Sequence, residues 1–200
     1  MARLAADGCR HPAIPEDEIV EVAKLMRIPI ESATTYRGRN SRPNLPALAL
    51  FVGLALGVGV FAYLFSPAGS GAAARWYAML VKPPWAAPQS WFVPVWAALY
   101  VLMGMAAWLI WRERYHRARS VAIAAYAVQL LLNAAWAPLF FGLKDIGLGL
   151  FEIVALWSAV GWTVREFARV KPLAAWTLAP YFVCVSYAVA MNLEIWKLNP

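Results

Sequence analysis

Charge is what this sequence has least of. Only 14% of its 200 residues are Asp, Glu, Lys or Arg, against roughly 25% in an ordinary soluble domain. That is too little to clothe a water-facing surface. Histidine and cysteine are scarcer still, with two of each. His11, His116, Cys9 and Cys184 are scattered, and none of their spacings suits a structural or catalytic metal centre. With one cysteine in a polar segment and the other in an apolar run, a disulfide is not expected, and the redox compartment stays open. Serine–histidine chemistry, paired catalytic carboxylates and a phosphate-binding glycine loop find no supporting pattern. The first apolar run starts only at Leu45, so a cleavable signal peptide is not expected, and the acidic residues from Glu16 to Glu31 are unlike a transit peptide.

Apolar residues are plentiful, at 62%. Leu45–Phe65, Trp91–Trp111 and Val121–Phe141 each run 21 residues without Asp, Glu, Lys or Arg. About 20 helical residues cross the hydrocarbon of a bilayer. The chain is therefore expected to be an all-α polytopic membrane protein with five spans, at 45–65, 91–111, 121–141, 148–167 and 173–192. Residues 66–90, with Pro67, Pro83, Pro84, Pro88, Trp76, Tyr77 and Trp85, are too long for a simple link. They are read as an ordered lid with a short interfacial helix over Ala72–Leu80. Residues 1–44 form a polar extension, either a loose tail or one with a helix from Pro15 to about Met26.

Net charge is +7. Residues 1–44 are almost balanced, whereas residues 45–200 hold eleven basic and five acidic side chains. This excess sits in connections between spans, which points to membrane orientation and lipid headgroups, with no nucleic-acid motif present. Ten basic residues flank the spans on the N-terminal side and four, Arg75, Lys82, Lys144 and Lys197, on the other. In a bacterial inner membrane that asymmetry places the N-terminus in the cytoplasm.

Polar residues inside the spans are the site candidates, because each is costly against lipid. Gln129, Asn133, Trp136 and Phe140 fall on one helical face. They form either an interhelical clamp or part of a ligand or proton path. Tyr181, Cys184, Ala188 and Asn192 make a similar inward stripe beside Pro180. Glu152 either snorkels or pairs with a base, or else serves a proton-linked or substrate-contacting role. Gly53 and Gly57 offer a small-residue face for a second copy or for a neighbouring helix. Trp91, Trp111, Trp162, Trp176 and Trp196 suit the membrane interface, whereas Trp136 does not.

The lid and second span read Trp76-Tyr77-x-x-Leu80-x-Lys82-Pro83-x-Trp85-x-x-Pro88, then Phe92, Trp96, Leu99 and Tyr100. The third reads Gln129-Leu130-x-x-Asn133-x-x-Trp136, then Leu139-Phe140-Phe141, and the fifth has Pro180-Tyr181 and Asn192. In these motifs, over about residues 47–199, the chain resembles the tryptophan-rich sensory protein / translocator protein family, the peripheral-type benzodiazepine receptors. The resemblance implies a compact bundle of five transmembrane helices, commonly a homodimer, that binds porphyrins and related tetrapyrroles, with sterols as further ligands of eukaryotic relatives. It implies a ligand region of Trp85, Pro88, Phe92, Trp96, Asn133, Trp136 and Phe140, faced by Tyr181, Cys184 and Ala188. Where the family often has an aromatic this chain has Pro84, where it has proline this chain has Ala87, and where it commonly has tryptophan this chain has Cys184. Loss of that indole removes a stacking surface.

A receptor or sensor for porphyrins or related tetrapyrroles is the expected function, with no obligatory cofactor and with porphyrin or haem as ligand. Transport of porphyrin or sterol-like molecules and modification of a bound porphyrin stay as alternatives. Neither duplicated halves nor an acid–base constellation supports them. The membrane would be a bacterial inner or outer membrane, or a mitochondrial outer membrane in a eukaryote.

Overall fold

The computed structural model describes residues 44–200; the polar extension, its helix to Met26, His11 and Cys9 lie outside the described residues. Six α-helices follow in order: α1 Leu45–Phe65, α2 Gly71–Met79, α3 Phe92–Arg112, α4 Arg119–Ala137, α5 Ile146–Val170 and α6 Pro172–Leu198. A 3₁₀ turn, Gln89–Trp91, leads into α3, and a π-helical turn, Pro138–Gly142, extends α4. All but α2 are long and apolar enough to cross a membrane, so this is an integral, multi-pass, all-α protein. The fifth span runs six residues further than its hydropathy suggests, because Leu193, Ile195 and Trp196 continue the apolar face around Glu194 and Lys197.

Local chemistry sets the helix ends. Ser70 Oγ accepts from the Ala73 N–H at 3.4 Å to cap α2, and Asp145 Oδ1 accepts from the Leu148 N–H at 2.8 Å to cap α5. Lys144, at φ 59°, makes the reversal between the π turn and α5. Pro172 opens α6, where a missing N–H costs nothing. Pro138 cannot donate to the α ladder; the chain widens, and the Leu143 N–H reaches back five residues to the Pro138 carbonyl at 2.9 Å.

α5 packs along α6 and α4, α3 lies on α6, and α1 covers α3 and α4 from outside. Gly147 meets Trp196, Trp157 donates to Ser186 Oγ at 2.9 Å, and Gly161 meets Phe182, which fixes the antiparallel register of α5 on α6. α1 buries only Ala55. Its approach to α3 depends on two other glycines: a Cβ on Gly104 would stand 2.5 Å from Val52 Cα, and one on Gly59 would stand 2.5 Å from the Tyr100 ring. Gly53 and Gly57 have nothing within 4 Å, so intramolecular packing falls to Gly59 and Gly104 while the Gly53/Gly57 face stays open.

At the bundle end away from the lid, Lys171 Nζ meets Glu113 Oε1 at 2.7 Å and joins two loops. The buried Glu166 is neutralised there by Arg169 at 2.9 Å. Glu152 behaves differently. It is 5% exposed, both its oxygens lack a hydrogen-bond partner, and no Lys or Arg among the described residues pairs with it. It neither snorkels nor pairs: its carboxyl is buried within the bundle, on the side of α5 turned away from Gly147, Trp157 and Gly161, with no base beside it.

Candidate functional site

Two cavities occupy the lid end of the bundle. The larger, ≈ 460 Å³, lies beneath the lid between α3, the π turn and α6. The smaller, ≈ 190 Å³, lies between α1, α3 and α4. Phe92, Trp96, Trp136 and Phe141 line both and form a shared aromatic wall. Most of the lining is apolar, the usual character of a small-molecule pocket, in which a few polar groups set orientation.

Packing of rings against rings builds this wall. Trp136 stacks on Phe140, with centroids 5.3 Å apart and planes 12° apart. Phe140 meets Phe141 edge-on at 4.8 Å, and Trp76 of α2 meets Phe140 at 5.5 Å. Gly149 makes room for Phe140, since a Cβ there would fall 2.6 Å from its ring. On α3, Phe92 and Trp96 lie 5.5 Å apart, one turn removed from each other. Such pairs contribute about 0.5–1.5 kcal/mol each beyond their burial.

Hydrogen bonds secure the lower edge. Tyr100 donates to Asn133 Oδ1 at 2.7 Å, and Asn133 Nδ2 donates to the Tyr181 hydroxyl at 2.8 Å. One buried amide thereby ties α3, α4 and α6 together. Above it, Lys82 Nζ lies 4.6 Å from the Tyr77 ring centroid and donates to the Leu80 carbonyl at 3.0 Å. Lys82 is the one charged side chain lining the larger cavity. Burial, and secondarily the nearby Tyr187, push the Tyr77 hydroxyl above its ordinary range, so it stays a neutral donor at the cavity mouth.

Of the residues singled out in the sequence, the larger cavity collects Pro88, Phe92, Trp96, Trp136, Phe140, Cys184 and Ala188, together with Asn192. Asn133 lines the smaller one. Trp85, Gln129 and Tyr181 reach neither wall. Trp85 packs edge-on against Tyr187 at 5.6 Å and is 45% exposed. Gln129 is fully buried one turn below Asn133, its amide nitrogen 3.9 Å from Met103 sulfur. Tyr181 is fully buried and holds Asn133. Glu152 is absent from both linings, and Asn192 makes no side-chain hydrogen bond.

Phe141, Tyr77 and Tyr187 line the larger cavity without having been expected there. Phe141 follows from the π turn, which brings two consecutive phenylalanines inward. Tyr187 stands one turn beyond Cys184 and supplies an aromatic surface on the face where the indole is missing.

Comparison with known proteins agrees with this architecture. Residues 51–197 match the family model described as TspO/MBR family. A tryptophan-rich protein TspO from Chlorobaculum tepidum is 38% identical over 154 residues, covering 76% of this chain and 96% of its own. The translocator protein of Homo sapiens is 33% identical over 159 residues, covering 78% and 92%. A tryptophan-rich sensory protein from Cereibacter sphaeroides is 34% identical over 137 residues, covering 67% and 85%. With the match running from α1 through α6, this chain belongs to the TspO/MBR family.

Proposed function

We propose that this protein is a membrane receptor or sensor that holds a flat, amphipathic ring ligand of the tetrapyrrole class, porphyrin or haem, in the cavity beneath the lid. Family membership supports the sensor or receptor role. The observation that carries the ligand class is the ≈ 460 Å³ cavity with Phe92, Trp96, Trp136 and Phe140 in its wall and Lys82 as its only charge. Broad rings suit a planar apolar face, and a single ammonium at the mouth suits a carboxylate on the ligand edge. Cys184 and Ala188 put small side chains between Tyr187 and Met191 on the α6 side of the cavity, which leaves width there for a ring system.

Sensing needs two states with different ligand affinity or partner contacts. The open Gly53/Gly57 face is the proposed surface for a second copy, through which occupancy would be relayed. Titration of purified protein with protoporphyrin IX, followed by tryptophan quenching, tests the reading. Saturable quenching that weakens in Trp136→Ala supports it. Unchanged affinity across single replacements of Phe92, Trp96, Trp136 and Phe140 would remove the site.

A further inference from the structure

The lid is fastened to α6 at two places, and the fastenings differ in kind. At Val81, where the chain has just left α2, Asn199 at the end of α6 acts as a fork. Its Oδ1 accepts from the Val81 N–H at 2.9 Å, and its Nδ2 donates to the Val81 carbonyl at 3.0 Å and to the Ile195 carbonyl at 2.8 Å. At its crown there is one atom. The Tyr187 hydroxyl accepts from the Ala87 N–H at 2.8 Å and donates to the Trp85 carbonyl at 3.3 Å.

Between these points, among the described residues, packing of the buried Pro83 and of Trp85 on Tyr187 adds to the hold, but no further hydrogen bond ties the lid to the bundle. Pro83, Pro84 and Pro88 have no N–H to give. The backbone bonds of Ala86 to Pro83 and Trp91 to Pro88 are local and tie the lid only to itself. Trp85, Ala87 and Pro88 are exposed on the outer side, while Lys82, Ala87, Pro88, Gln89 and Trp91 roof the larger cavity. Tyr187 also lines that cavity. Its ring faces the space an occupant would fill and its hydroxyl holds the cover. Ala87 is essential to this arrangement, since a proline at that position would have no N–H to offer.

We infer that Tyr187 is the latch of this lid and Asn199 its fixed end. The Tyr187 hydroxyl positions residues 85–88 over the cavity and sets the rate at which an occupant enters and leaves. Loss of the latch frees the crown, while the Asn199 fork keeps Val81 in place. The chemical identity of the occupant rests on the function proposed above; the latch itself does not.

Cys184 supplies a ligand-independent reporter, because it lines the same cavity one turn below Tyr187. The experiment uses the full chain in lipid nanodiscs with Cys9→Ser as parent. A charged, water-soluble methanethiosulfonate measures the labelling rate of Cys184 without a route through lipid. Tyr187→Phe keeps the ring and removes both hydrogen bonds. Labelling should accelerate by about tenfold, the order expected for losing bonds of ordinary net strength. Amide exchange should rise at Ala87 and stay unchanged at Val81, with the reverse pattern in Asn199→Ala. Equal labelling in Tyr187→Phe and parent, or unchanged exchange at Ala87, would overturn the latch. Protoporphyrin IX separates the two ideas. Faster labelling in Tyr187→Phe that the porphyrin never slows keeps the latch and defeats the porphyrin reading. Porphyrin protection with equal rates in both proteins keeps the reading and defeats the latch.

Discussion

The side-chain nitrogen of Asn133 donates to the hydroxyl of Tyr181 at 2.8 Å, joining α4 to α6 where Asn133 is 4% exposed and Tyr181 not at all. Because Asn133 also accepts from Tyr100, one truncation strands two hydroxyls in an apolar interior. Asn133→Ala should lower stability by about 2–4 kcal/mol, from the cost of unpaired buried polar groups. Tyr181→Phe strands only one N–H and should cost about half as much. Denaturant unfolding in detergent measures both, and equal stability of Asn133→Ala and the parent would contradict the network.

Glycine substitutions should divide sharply by position. Gly104→Ala drives a methyl into the backbone at Val52, and Gly59→Ala drives one into the Tyr100 ring. Each should destabilise by about 1–3 kcal/mol, the usual range for overpacking. Gly53→Ala and Gly57→Ala meet no atom within 4 Å and should leave the protomer's melting temperature unchanged. If the second pair forms the contact between copies, they shift the mass measured by light scattering and nothing else.

Glu152 should be removable. Replacing an unpaired buried acid by an apolar residue of similar size is often neutral or stabilising, and both Glu152 oxygens lack partners. Glu152→Leu and Glu152→Gln should therefore stay within about 1 kcal/mol of the parent in thermal unfolding. A loss of about 3 kcal/mol or more in either variant would mean that the carboxyl has a structural partner. Retained stability with altered ligand response would direct attention to a role in signalling.

Ligand binding should separate into a ring component and a charge component. Trp136→Ala removes a stacked indole and should weaken protoporphyrin IX about tenfold, roughly 1.4 kcal/mol. Lys82→Gln should weaken it less, and the remaining affinity should lose much of its dependence on salt. Isothermal titration at two ionic strengths reads both. A salt dependence identical to the parent's would take Lys82 out of the site.

The membrane architecture was legible because each span exceeds the bilayer's length requirement and charged residues mark its ends. The first span was read to its terminal residues, and the short lid helix to within one residue at each end. Three of the four residues in each polar stripe were legible for a similar reason: Asn133, Trp136 and Phe140 share a face that lipid would penalise, and Cys184, Ala188 and Asn192 share another. Strict helical spacing failed beyond Pro138, where the wider turn carries Phe141 inward as well. Tyr181 and Gln129 sit on the expected faces but deeper than the cavity, a distinction that periodicity around a helix cannot make. Tyr187 was hidden because its importance comes from a backbone N–H a hundred residues away.

The five residues from Pro138 to Gly142 form a turn that closes on the carbonyl of Pro138 and sets both phenylalanines into the wall. That part of the wall is written in chain length as much as in residue identity. Deleting Leu139 would spare every ring and yet swing both phenylalanines around the helix axis, away from Trp136 and the space they enclose. Such a lesion would leave an aromatic-rich protein of nearly the same hydropathy whose rings no longer enclose a space.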